Sequence, residues 1–357
     1  MSRYIIDKKK LEENIKTIKE KAGVPVIGVV KGNGYGFGIR ELTEILRDNG
    51  ISTFAVTEIE DIPILREILN DEDILVMRST CIEQEALVIA ESGCTATIGS
   101  LNAAKVMDSV SEKLGVKTKC HLKIDTGLGR YGFMPSQIEE ALKCYDFKNL
   151  NFTGAYTHFS SAFTNPQLTK TQLTIFKDAV EQLKKAGKDV GILHAANSPA
   201  LLNVDGVSLD SVRIGSAFTG RVITTGKNPL NRLGSLEAQV IDTKIVPKGY
   251  SIGYNGLYTT DRETKIAIVP IGHYDGFGLT KEKERADFHS VLSQTKKFLK
   301  QKRMYVKINS RLYSVIGEIG LSHTAVDITD SEVKVGDTAS VDISPLMVNP
   351  RIPRIYK

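Results

Sequence analysis

Short apolar runs alternate with amphipathic stretches along the first two-thirds of the chain. Runs rich in branched and aromatic residues at 25–31, 53–58, 73–77, 96–98, 118–125, 151–159, 189–197 and 211–216 predict eight strands. Helical patterns fall between them. Lys8–Ala22 sets Leu11, Ile15 and Ile18 on one face, with Asp7 placed to cap it. Another helix carries Leu42, Ile45 and Leu46 before a stop at Asn49-Gly50. After about residue 232 the pattern changes to short strands with turn signals between them: Val240–Val246, Thr264–Val269, Tyr305–Ile308, Tyr313–Ile316, Ala325–Ile328 and Thr338–Ile343. Only Lys281–Arg303 reads as a helix there. The chain shows no internal repeat and no low-complexity linker.

Eight βα units predict a parallel α/β fold, either a closed (β/α)8 barrel or a doubly wound sheet, and periodicity does not separate the two. The placement of chemically capable residues favours the barrel. Lys31, Lys123 with Arg130, His158, Asn197 with Ser198, and Arg213 with Gly215 all fall near the C-terminal ends of predicted strands, the face where such barrels carry their sites. The expected architecture is therefore an α/β chain with an N-terminal (β/α)8 TIM-type barrel over 1–232, followed by a smaller β-rich domain over 233–357.

Composition narrows the class. At 41% apolar and 25% charged residues, the chain matches an ordinary globular protein. It lacks any apolar stretch near the roughly 20 residues that a membrane helix needs. The start, Met1-Ser2-Arg3-Tyr4-Ile5-Ile6-Asp7-Lys8, has no apolar core of a secretory signal. Cys81, Cys94, Cys120 and Cys144 form no CxxC pair, and His121 beside Cys120 makes no metal-ligand pattern. A cytoplasmic protein with reduced thiols, no metal and no membrane is expected. Lys281–Arg303 holds eight basic and three acidic residues, so its net charge equals the +5 of the whole chain. That concentration reads as a solvated face and not as a nucleic-acid surface.

Lys31 ends the apolar run Val24-Pro25-Val26-Ile27-Gly28-Val29-Val30 and is followed by Gly32-Asn33-Gly34-Tyr35-Gly36-Phe37-Gly38. A lysine desolvated at a strand end has a depressed pKa and suits Schiff-base chemistry, although many strand-end lysines simply reach solvent. The glycines let the backbone turn tightly and approach a ligand.

The string Val30–Gly38 resembles the signature of the alanine racemase family, in which the lysine carries pyridoxal 5'-phosphate (PLP). The resemblance continues in order through Leu122-Lys123-Ile124-Asp125-Thr126-Gly127-Leu128-Gly129-Arg130-Tyr131-Gly132-Phe133, Thr157-His158-Phe159, His194-Ala195-Ala196-Asn197-Ser198 and Val212-Arg213-Ile214-Gly215. It extends to Gly253-Tyr254 and Val269-Pro270-Ile271-Gly272-His273-Tyr274-Asp275-Gly276. It implies a PLP-dependent racemase that interconverts L- and D-alanine, or a related amino acid, as a homodimer with shared sites.

By that resemblance Lys31 carries PLP and serves as one base, while Tyr254, reaching the partner's site from the β domain, serves as the other. Tyr258 is its rival. Tyr35, Ser198, Gly215 and Ser216 are implied to hold the phosphate, with Asn197 in that group or merely a turn residue. Arg213 is implied to face the pyridine nitrogen, oriented by His158, whose bland alternative is a satisfied core histidine. Arg130 is implied to meet the cofactor's phenolic oxygen and the substrate carboxylate; otherwise it is a surface ion-pair residue. Lys123 matches a position that some members carbamylate.

Agreement thins in the second domain. The family's Gly-Tyr-Ala-Asp-Gly becomes Gly272-His273-Tyr274-Asp275-Gly276, and Val-Gly-Arg-Val-Cys-Met-Asp becomes Ile316-Gly317-Glu318-Ile319-Gly320-Leu321-Ser322. The Leu321 backbone keeps the means to contact a substrate carboxylate. Pro350 replaces a tyrosine of the family that reaches the phosphate, and Lys281–Arg303 reads as an insertion. Two other readings remain open: a PLP carrier without catalysis, and a decarboxylase of the same architecture. The decarboxylase needs an acid at the pyridine nitrogen and a cysteine in the second domain. Arg213 and the lack of any cysteine after Cys144 weigh against it.

Overall fold

The computed structural model describes residues 2–279 and 304–357, so the predicted helix and basic segment at Lys281–Arg303 lie outside the described residues. The chain forms two compact units, Lys8–Leu233 and Met1–Asp7 with Gly234–Lys357.

In the larger unit eight parallel strands follow one another: β2 (Val26–Val29), β3 (Thr53–Val56), β4 (Asp73–Val76), β5 (Ala96–Ile98), β6 (Thr118–Lys123), β7 (Leu150–Tyr156), β8 (Ile192–His194) and β9 (Val212–Ile214). They are labelled from β2 because Arg3–Ile6, β1, precedes them. Two four-stranded parallel sheets, β4-β3-β2-β9 and β5-β6-β7-β8, are joined by the bridges Leu75↔Thr95 and His194↔Ser211. The strands thus close in sequence order into a (β/α)8 barrel. Each predicted strand overlaps an observed one. The helix Lys8–Ala22 buries Leu11, Ile15 and Ile18 as its periodicity requires, and Ile39–Asp48 buries Leu42, Ile45 and Leu46.

The barrel interior has two chemically distinct halves. Ile27, Val29, Ala55, Leu75 and Met77 pack as one apolar cluster under β2–β4. Along β5–β9 lie buried Thr97, His121, Lys123, Tyr156, His194 and Arg213. The strand period of two explains part of this, because His121 and Lys123 share the face opposite Leu122. Buried polar groups of this density need partners, and those partners form the site below.

The smaller unit is built from β10 (Ser235–Gln239), β11 (Asp242–Val246), β12 (Ser251–Ile252), β13 (Tyr258–Thr259), β14 (Thr264–Val269), β15 (Tyr305–Ile308), β16 (Arg311–Ser314), β17 (Thr324–Asp327), β18 (Thr338–Val341) and β19 (Arg354–Tyr356). They form a six-stranded sheet, β16-β15-β18-β10-β1-β19, a three-stranded sheet, β11-β14-β17, and the ribbon β12-β13. The sequence reading groups residues 1–232 with the barrel. Arg3–Ile6 instead lies between β10 and β19, antiparallel to the first and parallel to the second. Its alternation decides this: Tyr4 and Ile6 are buried, and the Tyr4 hydroxyl donates to the Ile343 carbonyl at 2.9 Å. Among the described residues no helix is long and apolar enough to cross a membrane.

Candidate active site

Lys31 stands where β2 leaves the barrel. Gly32, Asn33, Gly34 and Tyr35 all take left-handed conformations, with φ of 62°, 53°, 61° and 53°. A left-handed turn costs roughly 1–2 kcal/mol at each non-glycine residue, so Asn33 and Tyr35 need compensation. Asn33 Oδ1 accepts from the Ile39 N–H at 2.9 Å, and the Gly36 N–H returns to the Gly32 carbonyl at 3.0 Å. The turn lays Tyr35 against the apolar cluster of the barrel mouth. Gly215 supplies the space on the other side, since a Cβ there would overlap the Tyr35 ring.

A cavity of about 220 Å3 brings together Lys31, Tyr35, His158, Asn197, Ser198, Arg213, Gly215 and Ser216, with Val29, Met77 and Pro199. Arg130 is not in that lining. It sits on the loop after β6, and its charge depresses the Lys31, His158 and Arg213 pKa values. Burial first, then Arg130 and Arg213, lower the Lys31 pKa, with Glu58 opposing. Burial and the Glu58 charge push the Tyr35 phenol up to about 12, which keeps it a hydrogen-bond donor.

Ser198 opens the short helix Ser198–Asn203, and its Oγ accepts from the Gly215 N–H at 3.1 Å and the Ala217 N–H at 3.2 Å. Asn197 caps that helix, accepting from the Ala200 N–H at 3.0 Å. Its amide also donates to the Phe159 carbonyl at 3.4 Å and reaches His158 Nε2 at 3.5 Å. Asn197 is thus a turn residue that also lines the cavity.

Arg213 is buried on β9, held in place by main-chain carbonyls. Its Nη1 donates to the His194 carbonyl at 2.9 Å, and its Nη2 to those of Thr157 at 2.6 Å and Ala195 at 3.2 Å. His158 lies 3.4 Å from Nη2, whereas His194 Nδ1 lies 2.7 Å from Nη1. Arg213 Nε is buried without a hydrogen-bond partner. Burial lowers the guanidinium pKa to about 10, so it stays charged at neutral pH.

Behind Arg213 lie residues the motif reading left without a role. His194 Nε2 is 2.8 Å from His121 Nδ1. The His194 ring stacks on Tyr156 at 4.8 Å, and Arg213 caps the same ring at 4.8 Å. The Tyr156 hydroxyl donates to the Met77 carbonyl at 3.1 Å and lies 2.9 Å from Thr97 Oγ1. The available signal was the inward alternation of His121 with Lys123, and the position of His194 at a strand end. Lys123 itself is buried and donates to the Ile124 carbonyl at 2.7 Å. Burial, then Arg213, lowers its pKa to about 7.

Tyr254 and Leu321 line a different cavity, of about 410 Å3, in the smaller unit, together with Glu318 and His323. Tyr254 begins a 3-10 turn and is 70% exposed, whereas Tyr258 packs on the cluster of Val246, Ile252, Ile266 and Ile316. Of the two candidates only Tyr254 lines that cavity, where half-exposed Tyr250 joins it.

Fold and pocket together define a two-unit barrel enzyme with a desolvated lysine in the barrel mouth. Residues 6–222 match the family model "Alanine racemase, N-terminal domain" and residues 233–344 match "Alanine racemase, C-terminal domain". The chain is 30% identical to the alanine racemase of Methanococcus maripaludis, over 98% of this chain and 97% of that protein. It is 31% identical to that of Chlorobaculum tepidum, over 95% and 86%. The solved alanine racemase of Clostridium difficile 630 superposes with a TM-score of 0.87 at 25% identity, covering 100% of this chain and 95% of that one. That of Bacillus anthracis, with bound L-Ala-P, gives 0.83 at 25% identity with the same coverage. The chain belongs to the alanine racemase family.

Proposed function

We propose that this chain is a PLP-dependent amino-acid racemase acting on alanine, with Lys31 and Tyr254 as its two proton-transferring groups. The observation that carries this reading is the buried, unpaired Nε of Arg213 in the wall of the cavity that contains Lys31. A buried N–H without a partner is costly, and a guanidinium can only donate. A cofactor that offers an acceptor to Arg213, as a ring nitrogen does, would fit this wall.

The other residues fit the same cofactor. Tyr35 and Ser198, with the main chain at Gly215 and Ser216, would hold its phosphate. Arg213 would meet the ring nitrogen, Arg130 the phenolic oxygen, and Lys31 the carbonyl carbon. When bound, PLP draws electrons from a joined amino acid and makes its Cα proton acidic. The depressed pKa of Lys31 leaves more of its amine neutral, the form that bonds to the cofactor and takes a proton from Cα. Arg213 remains protonated and supplies a hydrogen bond in place of a proton.

Inversion at Cα needs a proton removed on one face and returned on the other. Tyr254 is the candidate for the second face, delivered by residues 233–357 of a partner subunit in a homodimer. The Leu321 backbone and Arg130 would receive the substrate carboxylate. A cytoplasmic location accords with this chemistry. The test is proton NMR in heavy water with the PLP-loaded chain and a panel of L-amino acids. Loss of the alanine Cα proton, with appearance of D-alanine, is the expected result. Silence across the panel sinks the reading in favour of a PLP carrier.

A further inference from the structure

Asp125 takes no part in the chemistry above, yet the loop that carries Arg130 is wrapped around it. Its Oδ1 accepts from the N–H groups of Gly127 at 3.0 Å and Leu128 at 2.8 Å, and its Oδ2 from those of Gly129 at 2.9 Å and Arg130 at 3.1 Å. An ionised carboxylate offers about four acceptor positions, and this one spends four on successive amides of a single loop. The loop is closed behind it. The Asp125 N–H donates to the Phe133 carbonyl at 2.8 Å, and the Phe133 N–H to the Lys123 carbonyl at 2.9 Å. Gly127 and Gly129, with φ of 117° and 72°, allow the chain to curl around the oxygens. Buried Gln172 pins the neighbouring residue by donating to the Thr126 carbonyl at 3.2 Å.

We infer that Asp125 is a positioning residue: its carboxylate clamps residues 127–130 so that the Arg130 guanidinium is held toward Lys31 and toward the carboxylate of the substrate. The substrate half of this inference rests on the racemase reading, and the Lys31 half does not. Three charges act on the Lys31 amine: Arg130 from this loop, Glu58 from beyond β3, and Arg213 from β9. Tyr35 lies on its own turn, and His158 feels both Lys31 and Arg130. Arg130 is the largest charge effect on that amine, so displacing it has a readable consequence.

The full-length chain freed of bound aldehydes is trace-acetylated with acetic anhydride across a pH range, and the Lys31 peptide is followed by mass spectrometry. Arg130→Gln removes a cation beside the amine, so the midpoint of Lys31 reactivity moves to higher pH. Asp125→Asn keeps the size of the side chain but turns two of its acceptor positions into an NH2 that repels the loop amides. Its midpoint should also rise, by about half a pH unit. Losing a negative charge alone would lower that midpoint, so the direction separates the clamp from a simple charge effect. The double variant should rise no further than Arg130→Gln. In the loaded enzyme, Asp125→Asn should raise KM for the amino acid roughly tenfold, with a smaller fall in kcat.

Gly127→Ala retains the carboxylate and disturbs the curl, and should shift Lys31 in the same direction. It carries the test if Asp125→Asn fails to give a native melting transition. An unchanged or lowered midpoint in the folded variant, or a rise that adds fully to that of Arg130→Gln, overturns the inference whatever KM does. If the wild-type loaded chain exchanges no Cα proton while both variants share the upward shift, the racemase reading falls and the clamp stands.

Discussion

Arg213 Nη1 lies 2.7 Å from His194 Nδ1, and because a guanidinium can only donate, this contact fixes the tautomer of two histidines. His194 Nδ1 must accept, so its proton sits on Nε2. That proton points to His121 Nδ1 at 2.8 Å, which must in turn accept. The chain of donors therefore runs from the cavity wall into the barrel, leaving Arg213 charged and both rings neutral. Replacing His194 by Phe removes the Nδ1 acceptor and deprives His121 of its donor. The expected loss is about 1–3 kcal/mol, measured by urea denaturation. His194→Gln, which keeps an acceptor oxygen, should recover part of it. Equal melting of both variants would deny the contact any role beyond packing.

The same chain predicts how the protein responds to acid. Burial and the Arg213 charge lower the His121 pKa to about 4 and hold those of His158 and His194 well below the ordinary value. In the unfolded chain each titrates near the ordinary histidine value of about 6.5. Between pH 6.5 and 4 the unfolded state binds protons that the folded state refuses. Stability is thus fully present above 6.5 and is lost as pH falls, at up to about 1.4 kcal/mol per pH unit for each such histidine. Urea midpoints from pH 7 to pH 5 should fall steeply in the wild type and less steeply in His121→Phe. Parallel slopes would count against buried neutral rings.

Gly215→Ala tests the cradle on the other wall of the pocket. Its Cβ would overlap the Tyr35 ring, whose retreat is opposed by its packing on the cluster of Ile27, Val29, Ala55, Leu75 and Met77. Overpacking of this kind costs about 1–3 kcal/mol. The damage should appear as weaker PLP retention, read by equilibrium dialysis, and Gly215→Ala with Tyr35→Leu should regain packing without regaining affinity. Unaltered retention in the single variant would mean that Tyr35 and Gly215 do not shape the cofactor site.

Much of this architecture is written locally in the chain. Val26–Val29 and Val212–Ile214 are short branched-residue strands between helices, so the eight barrel strands can be read from pattern alone. Arg3–Ile6 and Ser235–Gln239 are not legible in this way: they stand outside the strand–helix alternation, and the second carries Glu and Gln. Their strand character comes from pairing with each other, and of the first with Arg354–Tyr356 and the second with Thr338–Val341, contacts between distant parts of the sequence. The cavity residues were legible as motif positions at strand ends. The roles of His194 and His121 were not, since a histidine inside a strand reads the same whether it packs or relays a hydrogen bond. Here the deciding fact is three-dimensional: which ring nitrogen meets Arg213.

Tyr254 and Tyr258 can be told apart by what each does when only its hydroxyl is removed. Tyr254 is 70% exposed in a cavity it shares with Leu321, while Tyr258 packs on the cluster of Val246, Ile252, Ile266 and Ile316. If Lys31 and Tyr254 serve opposite faces of Cα, Tyr254→Phe leaves one base in place. The variant should bind PLP normally and still exchange the Cα proton of one alanine enantiomer, yet interconvert the two at least about 100-fold more slowly, the lower range for loss of a positioned acid or base. Tyr258→Phe should exchange and interconvert both. The measurement is proton NMR in heavy water, with L- and D-alanine followed separately by chiral chromatography. Full interconversion by Tyr254→Phe would remove this tyrosine from the reaction. Loss of exchange from both enantiomers would leave Lys31 without an independent face to serve.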